Sequence, residues 1–310
     1  MPPITDSLLF TLLQNQDFNT FSKLMIFLLM FSLGLRLTTA ALEEIGAHPG
    51  ALARSLVGVV ILVPLAILVT GPLLKSMGLP MAVGTGLVLL AACPGAPLMT
   101  KRTGMAGGNF EFSAALQLLC GTSAILVTPA ILSVYAQFFP NTSEVVEFGA
   151  IAKQVAMAQL LPLGLGLGIR VLWSDLADDI APRMLLIADV VFLVFVLIAV
   201  VASLPVILRS GALSIFAMAL FAVIALVIGH LLGGADLSHQ SATAVGCVAR
   251  NIGLALLIAT LNTNLLAVLP TLVGYMIIGS IVAIPYSVWM KKRIAQAEGA
   301  ATVVAAAPAS

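Results

Sequence analysis

About nine times along its length this chain runs for roughly 20 residues with almost no charge, which is the length an α-helix needs to cross a bilayer. The runs lie at 21–39, 52–74, 81–103, 110–138, 146–172, 184–208, 213–232, 242–261 and 265–290. In lipid every main-chain donor and acceptor needs a partner inside the protein, so such runs are read as helices. Composition agrees. Hydrophobic residues make up 61% and charged residues 9%, against roughly 25% charged in soluble domains. The expected fold is therefore an all-α polytopic membrane protein in a lipid bilayer.

Two of the runs are interrupted. The third, within the stretch AACPGAPLMTKRTGMAGGN at 91–109, meets Pro94, Gly95 and Pro97 and then Thr100, Lys101, Arg102 and Thr103. Proline lacks a donor and clashes with the preceding turn, and glycine lowers the cost of irregular backbone. The eighth, SATAVGCVARNIGLALLIATL, carries Gly246, Arg250, Asn251 and Gly253 inside an apolar run. Non-helical backbone at membrane depth is tolerated where it is buried in protein or lines a wet cavity. Paired interruptions in corresponding places of two halves point to an inverted-repeat transporter, with its site where two crossed broken helices meet.

Charge sets an orientation and excludes some functions. With the N-terminus outside, the inner side receives Arg36, Arg54, Arg170, Arg183, Lys291, Lys292 and Arg293, and the outer side Lys23, Lys75, Lys153 and Arg209. This bias favours an integral protein of the inner (plasma) membrane with an external N-terminus and a cytoplasmic C-terminus. A net charge of +1 offers no basic surface for nucleic acid. Residues 1–20 read as an interfacial or flexible segment. Leu8, Leu9, Leu12 and Leu13 give it an apolar stripe, and no basic leader marks it as a signal peptide. The alanine-rich end, 294–310, reads as a disordered tail. The three cysteines lie in apolar segments and suggest neither disulfides nor a metal knuckle. His230 and His239 read as loop or interface residues, and no metal site is expected. The glycine run at 164–168 lacks the strand and helix of a nucleotide fingerprint and reads as a helix-packing surface. No Walker motif and no catalytic constellation argue for an ATP-driven pump or an enzyme.

Arg250 is the sharpest single residue. A charge at mid-span costs at least about 2.5–3.5 kcal/mol, and arginine does not shed its proton. It either pairs structurally, with Glu111, Asp189 or carbonyls freed at the breaks, or receives an anionic substrate forked onto a carboxylate. Lys101, beside the break and Thr100, is a second candidate; Arg102 and Lys101 read equally as surface charges. Glu111 and Asp189 are the carboxylates within or at the edge of a span, able to pair with a base or carry a proton. Ser113 and Gln117, four apart, share a helix face near Thr100. The substrate-binding set is therefore Thr100, Lys101, Ser113, Gln117, Arg250 and Asn251.

The Pro-Gly pair followed by a crossing segment, GGN, a span ending TPAI at 128–131, the late RNIGLA at 250–255 and the early FSLGLRLT together resemble the bile acid:sodium symporter family. The resemblance covers nearly the whole chain. It implies the nine-helix kind, with a panel domain (21–40 and 146–208) and a core domain (51–140 and 211–290), moving a small organic anion by alternating access. Family substrates include bile acids, pantoate and pyruvate, usually driven by sodium. The sodium-holding positions depart from the family. The Ser-Asn pair after the first break is Met99 and Thr100. The Ser and Thr of the next helix fall at Ser113 and Gln117. The shared glutamate falls at Gly246, a glutamine at Arg250, and another near Val59. The sodium site thus reads as degraded, no cofactor is expected, and the fixed charge of Arg250, with Lys101, replaces the cation. A cation/proton antiporter and a membrane-embedded anion sensor are the alternatives. The oligomeric state is not legible.

Overall fold

The computed structural model describes residues 16–138, 148–262 and 265–306, and among them there are helices and no strands. In chain order these are α1 (Gln16–Arg36), α2 (Thr39–Ala47), α3 (Pro49–Val57), α4 (Val63–Ser76), α5 (Met81–Ala92), α6 (Met99–Met105) and α7 (Phe110–Phe138). They continue with α8 (Phe148–Val155), α9 (Leu161–Leu172), α10 (Ser174–Arg209), α11 (Ala212–Leu232), α12 (Leu237–Val248), α13 (Ile252–Asn262) and α14 (Leu265–Ala306). Among the described residues seven stretches are long and apolar enough to cross a membrane, and an eighth joins α1 to α2 across a 76° bend. The run at 81–103 is not a single helix; it is split into α5 and α6, and neither half has the length to cross alone.

Two long spans carry a π-helical turn, Gly58–Leu62 between α3 and α4, and Ala156–Leu160 between α8 and α9. Each is followed by a proline, Pro64 or Pro162, at the second position of the next helix. A proline there has no N–H for the carbonyl one π-turn earlier. At Val59 that freed carbonyl finds a distant partner, described below.

Helix α1 packs on α9 and α10, and α10 on α14; α11 packs on α12 and α14, while α7 faces α6, α12 and α2. The seam between α1 and α9 is backbone against backbone. A Cβ on Gly34 would lie 2.2 Å from the Leu163 carbonyl oxygen, and one on Gly166 2.3 Å from that of Phe31. The glycine run and the early Gly-Leu motif are thus two faces of one small-residue contact. Arg170 locks it, donating from Nε to Leu35 O at 2.6 Å and from Nη1 to Asp178 at 2.6 Å.

The stretch from residue 294, expected to be disordered, is helical through Ala306 as the end of α14. Alanine is the strongest helix former, so an alanine-rich end extends a helix that already exists. Residues 1–15 and 307–310 lie outside the described residues. The 40–51 stretch, between two expected spans, is also structured: Thr38 caps α2 by accepting from Ala41 N, and α3 starts at Pro49.

Candidate functional site

Helix α5 ends at Ala92 because the next residues are Cys93, Pro94, Gly95 and, after Ala96, Pro97. Its last carbonyls have no partner within the helix. Gly95 turns the chain at φ +77, a conformation that L side chains rarely adopt, and packs on Cys120 and Gly121 of α7. Helix α12 stops at Val248, and α13 restarts at Ile252. The two breaks are bonded to each other. Asn251 N–H donates to Cys93 O at 3.0 Å, and Asn251 Nδ2 donates to Gly95 O at 3.2 Å. Asn251 also caps α13, its Oδ1 accepting from Leu254 N at 3.0 Å. Thr128, of the TPAI motif, donates to the Ala92 carbonyl at 2.7 Å.

Arg250 closes the remaining gaps. It is 3% exposed. Its Nε donates to Leu90 O at 3.0 Å, Nη2 to Ala91 O at 2.5 Å and Nη1 to Val59 O at 3.1 Å. The guanidinium thus sits on the negative end of α5 and on the carbonyl released by Pro64. Of the partners open to it in sequence, these are the freed carbonyls, and neither Glu111 nor Asp189. Each of its three nitrogens gives one N–H to a main-chain oxygen, which leaves one N–H on each terminal nitrogen.

Beside this crossing lies a cavity of about 50 Å³. Met25, Ile26 and Leu29 of α1 and Phe192 of α10 form one wall; Pro97, Arg102, Arg250, Asn251, Tyr275 and Ser280 form much of the other. The lining contains two guanidinium groups and no carboxylate. Arg102 is largely buried and donates from Nη2 to Ser280 Oγ at 2.9 Å. Tyr275 donates to Val248 O at 2.9 Å, holding the second break.

The sequence-derived residues are therefore divided. Arg250 and Asn251 come together at the crossing and line the cavity. Lys101 does not: it is 60% exposed and pairs with Asp189 of α10 at 3.1 Å. One residue further along α6, Arg102 turns inward instead. Thr100, Ser113 and Gln117 are buried between α6, α7 and their neighbours, away from the cavity lining. Ser113 shares a 2.9 Å hydrogen bond with Thr103. Glu111 stands half-exposed in the first turn of α7, where an acid suits the helix dipole.

The surroundings of Gly246 are apolar. A Cβ there would lie 2.8 Å from Met99 Cε, 3.3 Å from its Sδ and 3.4 Å from Leu116 Cδ2. Nearby, the buried amides of Gln117 and Gln159 make no hydrogen bond, and Gln159 Oε1 rests against Gly121, one turn from Gln117. Sequence reasoning missed Arg102, Tyr275 and Ser280 as lining residues. The signal available was polar Tyr275 and Ser280 in an otherwise apolar last span.

Comparison with known proteins places this geometry in context. The model of the sodium bile acid symporter family matches residues 23–210. The chain is 26% identical over 279 residues to the "uncharacterized sodium-dependent transporter YocS" of Bacillus subtilis (strain 168), an alignment covering 86% of this chain and 83% of that protein.

Proposed function

This chain belongs to the sodium bile acid symporter family, and from that premise we propose that it carries a small organic anion between its α1/α10 wall and the crossing of its broken helices, without sodium at the family's usual positions. That it is an integral membrane protein of a transporter family follows from the match and from its apolar spans. The anion is the further step. One observation carries it: Arg250 and Arg102 face a shared cavity whose lining offers no acid. A carboxylate entering there neutralises charge that no acid in the lining compensates.

The sodium-free part rests on chemistry. A hard cation is held by several oxygens. The space at Gly246 is filled by a thioether and a leucine methyl. Where the resemblance sets a glutamine ligand stands a permanent cation with all three nitrogens bonded. Alternating access in this reading moves the α1, α9 and α10 group against the group containing both breaks, with the end bearing Arg36 and Lys291 on the cytoplasmic side.

A sodium-driven cycle is the second reading. The relative's printed name favours it, as do the unbonded amide oxygens of Gln117 and Gln159. Uptake of labelled small carboxylates into proteoliposomes, with sodium replaced by choline at constant ionic strength, separates the two. Uptake that persists in choline supports the proposal. A steep sodium requirement overturns the sodium-free part, and no uptake of any anion overturns the whole.

A further inference from the structure

Away from the crossing, three ligand-type side chains converge at the end of the bundle where α2 meets α3. Proline at 49 disfavours helical backbone at the residue before it, and His48 sits at that elbow with φ −128 and ψ 48. Glu44 lies one turn earlier on α2. His239 comes from the first turn of α12, placed there because Asp236 caps the helix, accepting from His239 N at 2.8 Å and from Ser238 Oγ at 2.6 Å. The cap, and with it the position of His239, is therefore firm.

The three ligand atoms lie within 4.8 Å of one another. Glu44 Oε1 is 2.6 Å from His48 Nδ1 and 3.5 Å from His239 Nε2. The short contact is not a hydrogen bond: Glu44 Oε1 is shielded from solvent and accepts none. The His239 ring is held flat on Phe112, with centroids 4.1 Å apart at 15°, and edge-on to His48 at 4.8 Å. Two imidazole nitrogens thus stand at ligand spacing from a buried carboxylate oxygen that accepts no hydrogen bond.

We propose that Glu44, His48 and His239 form a site for one divalent transition cation of the zinc class, which pins the α2–α3 elbow to the start of the second broken helix. Two imidazoles and a carboxylate match the nitrogen and oxygen preference of such ions, held at about 2.0–2.2 Å. Bringing all three to that distance lengthens the Glu44–His48 contact and draws His48 inward. Its side chain, 49% exposed, has room to turn. The fourth tetrahedral position is left toward solvent beside His48. The site does not depend on the anion reading, because none of its residues lines the crossing cavity.

The test uses the full chain in detergent, stripped with a chelator and titrated with Zn²⁺ by calorimetry and with Co²⁺ by visible absorption. One ion per chain is expected, with the intense d–d bands of tetrahedral Co²⁺. His48→Ala should weaken binding by about 100-fold or more and abolish the bands. His230→Ala, which removes the one histidine outside the cluster, should change neither. Should His239→Ala fail to fold for loss of its Phe112 contact, the exposed His48 carries the test. Absence of stoichiometric binding, binding indifferent to His48→Ala, or stabilisation by lowered pH without any effect of metal overturns the proposal, the last meaning that a shared proton fills the place.

Discussion

Arg250 donates from Nη1 to the main-chain oxygen of Val59, 3.1 Å away and 191 residues distant in sequence. Val59 needs that donor because Pro64, five residues on, has no N–H to close the π-turn. The same guanidinium satisfies Leu90 and Ala91 at the end of α5. Arg250→Gln removes the donors to Val59 O and Ala91 O, each costing about 1–3 kcal/mol if left unpaired, while Leu90 O keeps the Cys93 N–H. The expected outcome is a fall in thermal midpoint together with loss of anion binding. Arg250→Lys keeps the charge and loses the geometry, so it should be less stable yet still bind. Retained binding in the glutamine variant would leave Arg250 a purely structural clip.

Arg102 is held by a serine hydroxyl while facing the cavity. A hydrogen bond to a charged group is worth about 1.5–3 kcal/mol. Arg102→Gln should therefore raise the half-saturation concentration for anion uptake by about 10-fold or more, by the same principle. Its melting curve should stay close to that of the parent, since no acid is left unpaired.

Lys101 gives the contrast. Its pair with Asp189 is open to water at the lysine end, and exposed pairs are worth about 0–1 kcal/mol. Lys101→Gln and Asp189→Asn should each shift stability within that range, with a double-mutant cycle showing coupling of about 0.2–1 kcal/mol. Anion half-saturation should change far less than in Arg102→Gln. A larger change for Lys101 would return it to the substrate site.

The α1–α9 seam admits no side chain at two glycines and tolerates one at their neighbours. Gly34→Ala or Gly166→Ala drives a methyl into main-chain oxygens and should cost about 1–3 kcal/mol or more. Gly164→Ala and Gly168→Ala meet nothing within 4 Å and should be neutral or slightly stabilising, by up to about 1 kcal/mol, from helix propensity. Thermal unfolding of the four variants in one detergent checks the pattern.

Much of this molecule was written in local chemistry. Pro94, Gly95 and Pro97 announce the first break, and Arg250 with Asn251 the second, since a mid-span charge has few places to go. The Gly-rich run announced close packing. What sequence withheld was phase and partners. After an irregular loop the rotation of α6 is not fixed by anything upstream, so Lys101 and Arg102 could not be told apart, and the outward one was favoured. The partners of Arg250 are carbonyls, which carry no side-chain signature. Pro64 was the readable trace, because it frees Val59. The Glu44, His48 and His239 cluster joins residues nearly two hundred apart, across an elbow that apolar periodicity did not mark.

The double stitching of Asn251 onto Cys93 and Gly95 has a mechanical corollary. Two unwound ends sewn together in this way cannot slide past each other without tearing several bonds at once, so in the proposed transport cycle the crossing moves as one rigid block. Flexing then falls to the thin joints at either side of it: the 37–38 bend after α1 and the turn at Gly211, whose φ of +85 already stands outside helical geometry. Stiffening those joints, rather than altering the crossing, would be the way to arrest the proposed cycle with the crossing intact.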